Sequence, residues 1–437
     1  MSKERPNIVV MFLDDSGWGD FRPFGNTNYP TPNVERLAER GVCFNQFYVN
    51  QAVCSASRAS LLTGCYPGRC RIYGALAPRL RGLDPGFSTI GEVLQSAGYT
   101  TGCFGKWHVG DQPDTRPPAR GFDESAGLMY SNDMWKHHPN MRQFDDYELQ
   151  YWHNGEIVIN DVSPEQQRML TTWSTEYAEE FIRNYSGDNP FFLYVPHSMP
   201  HVPIYCSDKF EGKSGAGLYG DVMMEIDWSL GRVMDTLEQE GELENTLIMF
   251  TSDNGPWLAY GNHAGYTPFR EGKSTSFDGG TRSACVMSYP GHIPEGESTD
   301  TTFAIVDILP TFARLAQAEL PSNPIDGMDV WDLITLRSTD NPHEYYPFST
   351  GRNFEGVISG DGKWKLHLPH SYKKLAEAGQ DGKPGRYEDG YIELSLFDME
   401  NDPYETTNLV DQYPEVVNHL KALAEEHQRR WWSPSDS

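Results

Sequence analysis

The sequence predicts an α/β protein with a large, mostly parallel mixed sheet flanked by helices, followed by a small C-terminal antiparallel sheet with one covering helix. Three observations predict it. Short apolar runs of strand length end abruptly in polar, chemically capable residues; helix-period patterns lie between those runs; and past about residue 335 the pattern turns to hairpins.

The runs come in order along the chain. Ile8 to Leu13 leads into Asp14 and Asp15. Thr100 to Phe104 leads into Gly105, Lys106, Trp107 and His108. Phe191 to Val195 leads into Pro196 and His197, with His201 beyond, and Leu247 to Thr251 leads into Ser252, Asp253, Asn254 and Gly255. Thr89 to Ala97 and Met223 to Glu240 read as helices, the second with Met223, Ile226, Leu230, Val233 and Leu237 on one face. Strands alternating with helices imply parallel neighbours covered on both faces, and such sheets bind ligands at the carboxyl ends of their strands. The four polar clusters are therefore expected along one edge.

Pro310 to Ala318 reads as another helix, after which Pro321, Pro324 and Gly327 break the pattern. The expected division is a large unit over 1–335 and a small one over 336–437. In the small unit, Gly356 to Leu368 reads as a hairpin around Ser359 to Gly362, and Leu394 to Phe397 as a strand. Val416, Val417, Leu420 and Leu423 mark one face of a final helix.

Composition bounds the function. At 437 residues the chain exceeds the ~300 that single cores seldom pass, which fits one large and one small unit. A formal net charge of −27 repels polyanions at long range and argues against a nucleic-acid binder, whose footprint is a basic face. A small anionic substrate is compatible if the pocket itself is basic. The run Ile8 to Leu13 has six residues, against ~20 for a membrane span and ~7–15 for a signal-peptide core, so neither is expected in this chain. The cysteines, Cys43, Cys54, Cys65, Cys70, Cys103, Cys206 and Cys285, lack the Cys-x-x-Cys pairs of a zinc site; setting Cys54 aside leaves an even number, which permits disulfides. One sequon, Asn184 to Ser186, leaves the compartment open: periplasmic or secreted if an export signal has been removed, otherwise cytoplasmic.

Three constellations carry chemistry. Cys54-Ser55-Ala56-Ser57-Arg58 follows a possible strand and opens a helix, where free N–H groups and the helix dipole favour an anion and Arg58, one turn on, faces the same side. The plain alternative is a buried Cys beside a solvated Arg. Asp14 and Asp15 at one strand end, with Asp253 and Asn254 at another, are oxygen donors that suit Ca²⁺ or Mg²⁺, because adjacent carboxylates are costly to bury without a cation. Alone, either pair reads as a turn or cap; two pairs at matching strand ends point to a metal. The cationic set is Lys106, His108, His201 and Lys273, each at a strand end or on a Gly-bearing loop.

On these residues the sequence resembles the formylglycine-dependent type I sulfatases of the alkaline phosphatase superfamily, over nearly its whole length. Cys54 to Gly64 matches their signature Cys-x-Pro/Ala-x-Arg followed by Leu-Leu-Thr-Gly, with Ala56 at the third position. Asn7 to Asp15, Gly98 to Gly110, Gly121 to Gly127, Thr251 to Pro256, Phe269 to Gly280 and Leu396 to Leu409 resemble further family blocks. The resemblance implies that a formylglycine-generating enzyme oxidises Cys54 to formylglycine, and that Asp14, Asp15, Asp253 and Asn254 bind the metal. It implies that Arg58, Lys106 and His108 hold the formylglycine hydrate, and that Ser131, His201 and Lys273 contact the sulfate, with His197 lining the substrate pocket. Asp278 stands where the family usually has Glu and reads as a structural position.

These residue types fit sulfate ester hydrolysis, because a sulfate monoester repels nucleophiles until a cation and fixed donors absorb its charge. His201 is the candidate for protonating the leaving oxygen and His108 for assisting sulfate release. A phosphate or phosphonate ester hydrolase of the same superfamily is the alternative, and a non-catalytic glycan-binding relative would leave Cys54 a thiol. The expected substrate is a sulfated small molecule or the end of a sulfated glycan. Loops after strand ends place Trp135, His137, His138, Trp257, Tyr260, His263 and Tyr266 at the pocket rim, with Arg352 and Asn353 reaching in from the small unit.

Overall fold

The computed structural model of the protein describes residues 5–185, 187 and 189–431, so Ser186 of the sequon lies outside the described residues. Ten strands form one sheet: β1 Asn7–Leu13, β2 Val42–Tyr48, β3 Thr100–Lys106, β4 Glu124–Leu128, β5 Tyr151–His153, β6 Glu156–Ile159, β7 Phe191–Pro196, β8 Thr246–Ser252, β9 Arg282–Ser288 and β10 Glu297–Ala304. Across the sheet they lie in the order β10-β2-β9-β8-β1-β7-β3-β4-β5-β6. The central block β8, β1, β7, β3 and β4 is parallel throughout; antiparallel pairing enters where β9 joins β8 and where β5 and β6 follow β4.

β1 shows why its run has no polar interruption. Ile8, Val10 and Phe12 pack in one apolar cluster, while Val9, Met11 and Leu13 pack in a second on the opposite face. Each such side chain contributes ~1.5–3 kcal/mol on burial, so the strand is held centrally from both sides. Helices Cys54–Thr63, Ile90–Ser96 and Ile308–Ala316 cover the first face, and Leu170–Arg183 and Gly217–Gln239 the second. The Ile90–Ser96 helix starts where it does because Thr89 Oγ accepts from the Glu92 N–H at 3.2 Å while the Glu92 carboxylate accepts from the Thr89 N–H at 2.7 Å. The helix expected from Met223 begins earlier, at Gly217.

Gly105 lets β3 close on β7: it lies at φ 143°, and a Cβ there would stand 2.0 Å from the Pro196 carbonyl oxygen. That approach brings the carboxyl ends of the parallel block together.

A second, antiparallel sheet is built from β11 Tyr345–Thr350, β12 Asn353–Ser359, β13 Trp364–His367 and the later strand β16 Ser395–Asp398, in the order β11-β12-β13-β16. Helix Pro414–Trp431 covers one face through Val417, Leu420 and Ala424. The other face packs Tyr346, Phe348, Ile358 and Phe397 against Tyr48, Phe277 and Val306 of the large sheet's surroundings. Between β13 and β16 lies a hairpin that the sequence reading lacks, β14 His370–Glu377 with β15 Arg386–Ile392. Its turn folds back so that the Gly379 and Gly385 N–H groups both donate to the Ala259 carbonyl, at 2.8 and 2.7 Å.

All seven cysteines are buried free thiols, so the disulfides that the count permitted do not form. No helix among the described residues is long and apolar enough to cross a membrane.

Candidate active site

Register makes the site. Leu13 of β1 pairs with Ser252 of β8, so the next residues, Asp14 and Asp253, leave the sheet side by side. The Asp253 N–H donates to the Leu13 carbonyl at 3.0 Å, and the Asp15 N–H donates to Asp253 Oδ1 at 3.1 Å. Asp15 holds φ 68° and His108 φ 61°, left-handed conformations that cost non-glycine residues energy and that cluster at functional sites. Opposite these turns, Val53 stays extended and Cys54 is the first residue of a wholly buried helix.

The Cys54 thiol lies at the centre. Its Sγ is 3.2 Å from Asp14 Oδ1 and 3.4 Å from Lys273 Nζ. Burial, then the Asp14 carboxylate, pushes this thiol well above its ordinary pKa, so as a cysteine it is a protonated, weak nucleophile. Arg58 donates from Nε and a terminal nitrogen to Asp253 Oδ2 at 3.1 and 2.8 Å, and from the other to the Lys106 carbonyl at 2.8 Å. Lys106 Nζ donates to Asp14 Oδ2 and, at 3.1 Å, to the Ser131 hydroxyl. Lys273 Nζ donates to the Asp15 carboxylate at 2.7 Å. Three buried carboxylates thus interleave with three buried cations. Burial raises the Asp14 carboxyl, but Lys106 and Arg58 outweigh it and hold the group well below the usual range. Asp253 goes the other way: burial and the adjacent Asp14 push it up to about 7 despite Arg58.

The donor set fits a hard divalent cation. One ligand atom each from Asp14, Asp15, Cys54 and His201 lie within 4.8 Å of one another. Asn254 donates from Nδ2 to Asp15 Oδ1 at 2.7 Å, leaving its Oδ1 buried with no hydrogen-bond partner. A buried carbonyl oxygen without a donor, beside mutually repelling carboxylates, is what an oxygen-coordinated ion would satisfy.

The two histidines are held in defined tautomers. His108 Nε2 lies 3.0 Å from the Leu76 carbonyl, which can only accept, so Nε2 carries the proton and Nδ1 is a free lone pair; Nδ1 is buried without a partner. Burial, with Lys106 and Arg58, keeps His108 well below its ordinary pKa and hence neutral. His201 Nδ1 likewise donates to the Val202 carbonyl at 2.6 Å, which turns Nε2 toward Asp15 Oδ2 at 3.5 Å. Ser131 Oγ lies 3.5 Å from His201 Nδ1, and the Trp257 ring stands 4.7 Å from Lys273 Nζ and 5.6 Å from the His201 ring.

The structure therefore gathers Asp14, Asp15, Cys54, Arg58, Lys106, His108, Ser131, His201, Asp253, Asn254, Lys273 and Trp257 at one sheet edge. It does not gather His197, whose Nε2 meets Ser229 Oγ of the Gly217–Gln239 helix at 3.1 Å; the ring is fully buried behind the strand end because the His197 N–H continues the β1 pairing onto Phe12. His263 is half-buried beside Gly382 in the β14–β15 turn, and Arg352 is exposed over the Tyr73 ring at 5.0 Å; neither bonds to the Cys54 cluster. The expected rim also changes. Trp135 is fully buried, His138 caps its own loop by accepting from the Asn140 and Met141 N–H groups, and His137 pairs with Asp161 on the surface. Aromatic and His residues in that loop fold it onto itself.

Two residues near the pocket went unread. Asp133, two residues past Ser131, is buried with Oδ1 unpartnered, in the field of Lys106 and Lys273. Its neighbour Ser131 was signal enough. Tyr387 of β15 lies in the field of Lys273 and Asp15 and reaches there through the folded-back hairpin, a long-range placement with no local signal.

The sequence profile of the Sulfatase family matches residues 6–318. N-acetylgalactosamine-6-sulfatase of Mus musculus is 34% identical over 459 aligned positions, covering 97% of this chain and 86% of the relative. Arylsulfatase A of Bos taurus is 34% identical over 434 positions, covering 94% and 85%. Among solved structures, the PsFucS1 sulfatase from Pseudoalteromonas sp. superposes with a TM-score of 0.86 at 26% identity, covering 98% of this chain and 91% of that one.

Proposed function

The chain belongs to the sulfatase family and is a sulfuric ester hydrolase, and from that premise we propose that its substrate is a carbohydrate sulfate monoester, held at a site built around residue 54. In this reading a formylglycine-generating enzyme matures Cys54, and Asp14, Asp15, Asp253 and Asn254 hold a divalent cation, Ca²⁺ rather than Mg²⁺, because buried all-protein oxygen cages suit the larger ion. Once formed, formylglycine would supply a hydrated aldehyde as the nucleophile toward sulfur, and the bound metal would supply charge that polarises the sulfate.

The chain's own residues do the rest. Lys273, 3.4 Å from Cys54 Sγ, and Lys106, bonded to Asp14 and Ser131, offer ammonium groups to sulfate oxygens, and the Ser131 hydroxyl adds a donor. Arg58 fixes Asp253 and the end of β3 in one piece. Neutral His108, with Nδ1 unpartnered, is the base for a hydroxyl proton at residue 54; His201, whose own proton is held on Nδ1, turns an unprotonated Nε2 toward the cluster and would protonate the leaving oxygen only after Nε2 has itself taken up a proton. The Trp257 ring beside His201 gives a sugar a face to rest on.

One observation carries this reading: the Cys54 Sγ stands between Asp14 and Lys273 at a buried helix start, with a proton acceptor and three cations around it. The sulfatase relatives favour sulfate over the phosphate and phosphonate esters that the same geometry could hold. The test is mass spectrometry of the residue-54 peptide together with sulfate release from sulfated saccharides, an aryl sulfate and the matching phosphate esters. An unmodified Cys54 in fully active enzyme, or a preference for phosphate, would end the proposal.

A further inference from the structure

Beside the cluster lies a cavity of about 460 Å³ that the chemistry at residue 54 does not use. It lies near the same sheet edge, because much of its wall comes from the loops that follow β3 and β4, completed by the segment around Arg79 and by β5 and β6. Its lining includes Arg79, Asp111, Arg116, Tyr130, Tyr147 and Trp152. Its volume falls in the range of small-ligand pockets, roughly 300–1,000 Å³.

Connections to the active site are short. Asp111 is three residues past His108, and Tyr130 precedes Ser131 with its ring 5.9 Å from that of His108. The loop that carries Arg79 is pinned by Leu76, whose N–H donates to Ser55 Oγ at 2.9 Å and whose carbonyl accepts from His108.

The chemistry of the cavity is that of two guanidinium groups laid on aromatic rings. Arg79 lies 4.7 Å above the Tyr147 ring and Arg116 4.2 Å above the Trp152 ring. Asp111 ties the two loops together, its carboxylate accepting from the main-chain N–H of Arg79 at 3.1 Å and its carbonyl accepting from the Arg116 side chain at Nε, 2.6 Å away. Among the described residues, neither guanidinium forms a salt bridge, in a chain whose net charge is −27. Acids share the lining: Glu148 accepts from Asn160 and pairs with Lys136, Asp145 pairs with Arg142, and Asp145 and Asp146 are exposed, where water screens them. Stacking keeps each guanidinium flat and fixed, with its N–H edge free for an oxyanion.

Resting on the carbohydrate reading above, we propose that this cavity is a second anion subsite. It takes the carboxylate or sulfate of the sugar residue next to the one being desulfated, through Arg79 and Arg116. The substrate class narrows accordingly, to glycans with a charged group on the adjoining residue.

The matured enzyme is assayed on three sulfated disaccharides that differ only in whether the adjoining residue carries a carboxylate, a sulfate or neither. Arg79→Ala with Arg116→Ala should lower kcat/KM on each charged disaccharide by tenfold or more, mainly through KM, and change the neutral one by less than twofold. A carboxylate-only or sulfate-only effect identifies the anion. Equal losses on charged and neutral substrates, or none on either, would overturn the subsite. A second measurement separates this from failure of the carbohydrate reading: calorimetric binding of a disaccharide that lacks the cleavable ester and keeps only the adjoining anion. Wild type should bind it at least tenfold more tightly than the double variant, and Arg79→Lys should fall between; no difference refutes the subsite whatever the hydrolysis assays show. Retained binding with no hydrolysis of any sulfated sugar would instead refute the carbohydrate reading and leave the anion subsite standing.

Discussion

At the scale of single residues, the site is a set of charges that cannot be removed singly. Asp253 touches the Asp15 N–H through one oxygen and Arg58 through the other, so truncating it frees a buried guanidinium as well as deleting a ligand. Asp253→Ala should lower both bound metal and kcat, read by elemental analysis of dialysed protein beside the rate; an enzyme that keeps its rate without metal would contradict the cation reading. His108 makes a sharper case. Its tautomer is fixed by the Leu76 carbonyl and its Nδ1 has no partner, so the ring has no structural bond on that side to lose. His108→Ala should cost ~10²–10⁴ in kcat while the melting temperature stays near wild type. A large loss of stability with an unchanged rate would make His108 a packing residue.

At the scale of elements, the small sheet is fastened to the large one by a buried charge network. Lys365 of β13 donates to Asp278 Oδ1 at 2.6 Å and lies 3.1 Å from Glu405, which also meets His367 Nε2 at 2.8 Å. Tyr48 and Arg282 reach the other oxygen of Asp278, so this aspartate joins the sheets, as the structural reading of that position expected. Burial raises the Glu405 carboxyl, but Lys365 and then His367 outweigh it and hold the group at about 2. A depressed carboxylate stabilises the fold above its unfolded value near 4.5, and that contribution fades as pH falls from there toward about 2. Lys365→Met leaves two buried carboxylates facing each other and should cost about 3–5 kcal/mol at neutral pH, with a flatter acid limb below pH 4.5 in chemical denaturation. Unchanged stability would show the network to be incidental. The elements differ in how far they could be read. β1, β7 and β8 were legible because both faces are buried and the apolar run is nearly unbroken, and the metal ligands followed because each stands directly after its strand. The β14–β15 hairpin was not: its exposed residues alternate weakly, and its position depends on Gly379 and Gly385 meeting Ala259, more than a hundred residues away. His197 misled for a related reason. It follows a strand end as the true site residues do, yet it continues the sheet pairing and its ring turns toward the covering helix.

At the scale of the whole molecule, a pocket whose three cations offset its three carboxylates, and which gains positive charge once a divalent ion binds, sits in a strongly acidic body, and the balance between them changes with distance and salt. The cations around Cys54 act within a few ångströms and are little screened, whereas the net charge of −27 acts across the surface and is screened over ~8 Å at physiological ionic strength, against ~30 Å at 0.01 M. A substrate held by the Cys54 pocket, with one adjoining anion at Arg79 and Arg116, feels mostly the near charges. Each further sulfate of a long chain lies over acidic surface and is repelled. Two consequences can be measured together on an intact sulfated polysaccharide and on a monosulfated saccharide cut from it. Raising ionic strength from 0.01 to about 0.15 M should increase kcat/KM on the polysaccharide several-fold, because it screens the repulsion, and should leave the short substrate flat or slightly lowered. Desulfation should also proceed from chain ends, since an end reaches the pocket while presenting the fewest charges to the outer surface. A polysaccharide rate that falls with salt, or early long products desulfated internally, would show that a basic groove extends past the pocket and that the acidic surface does not govern access.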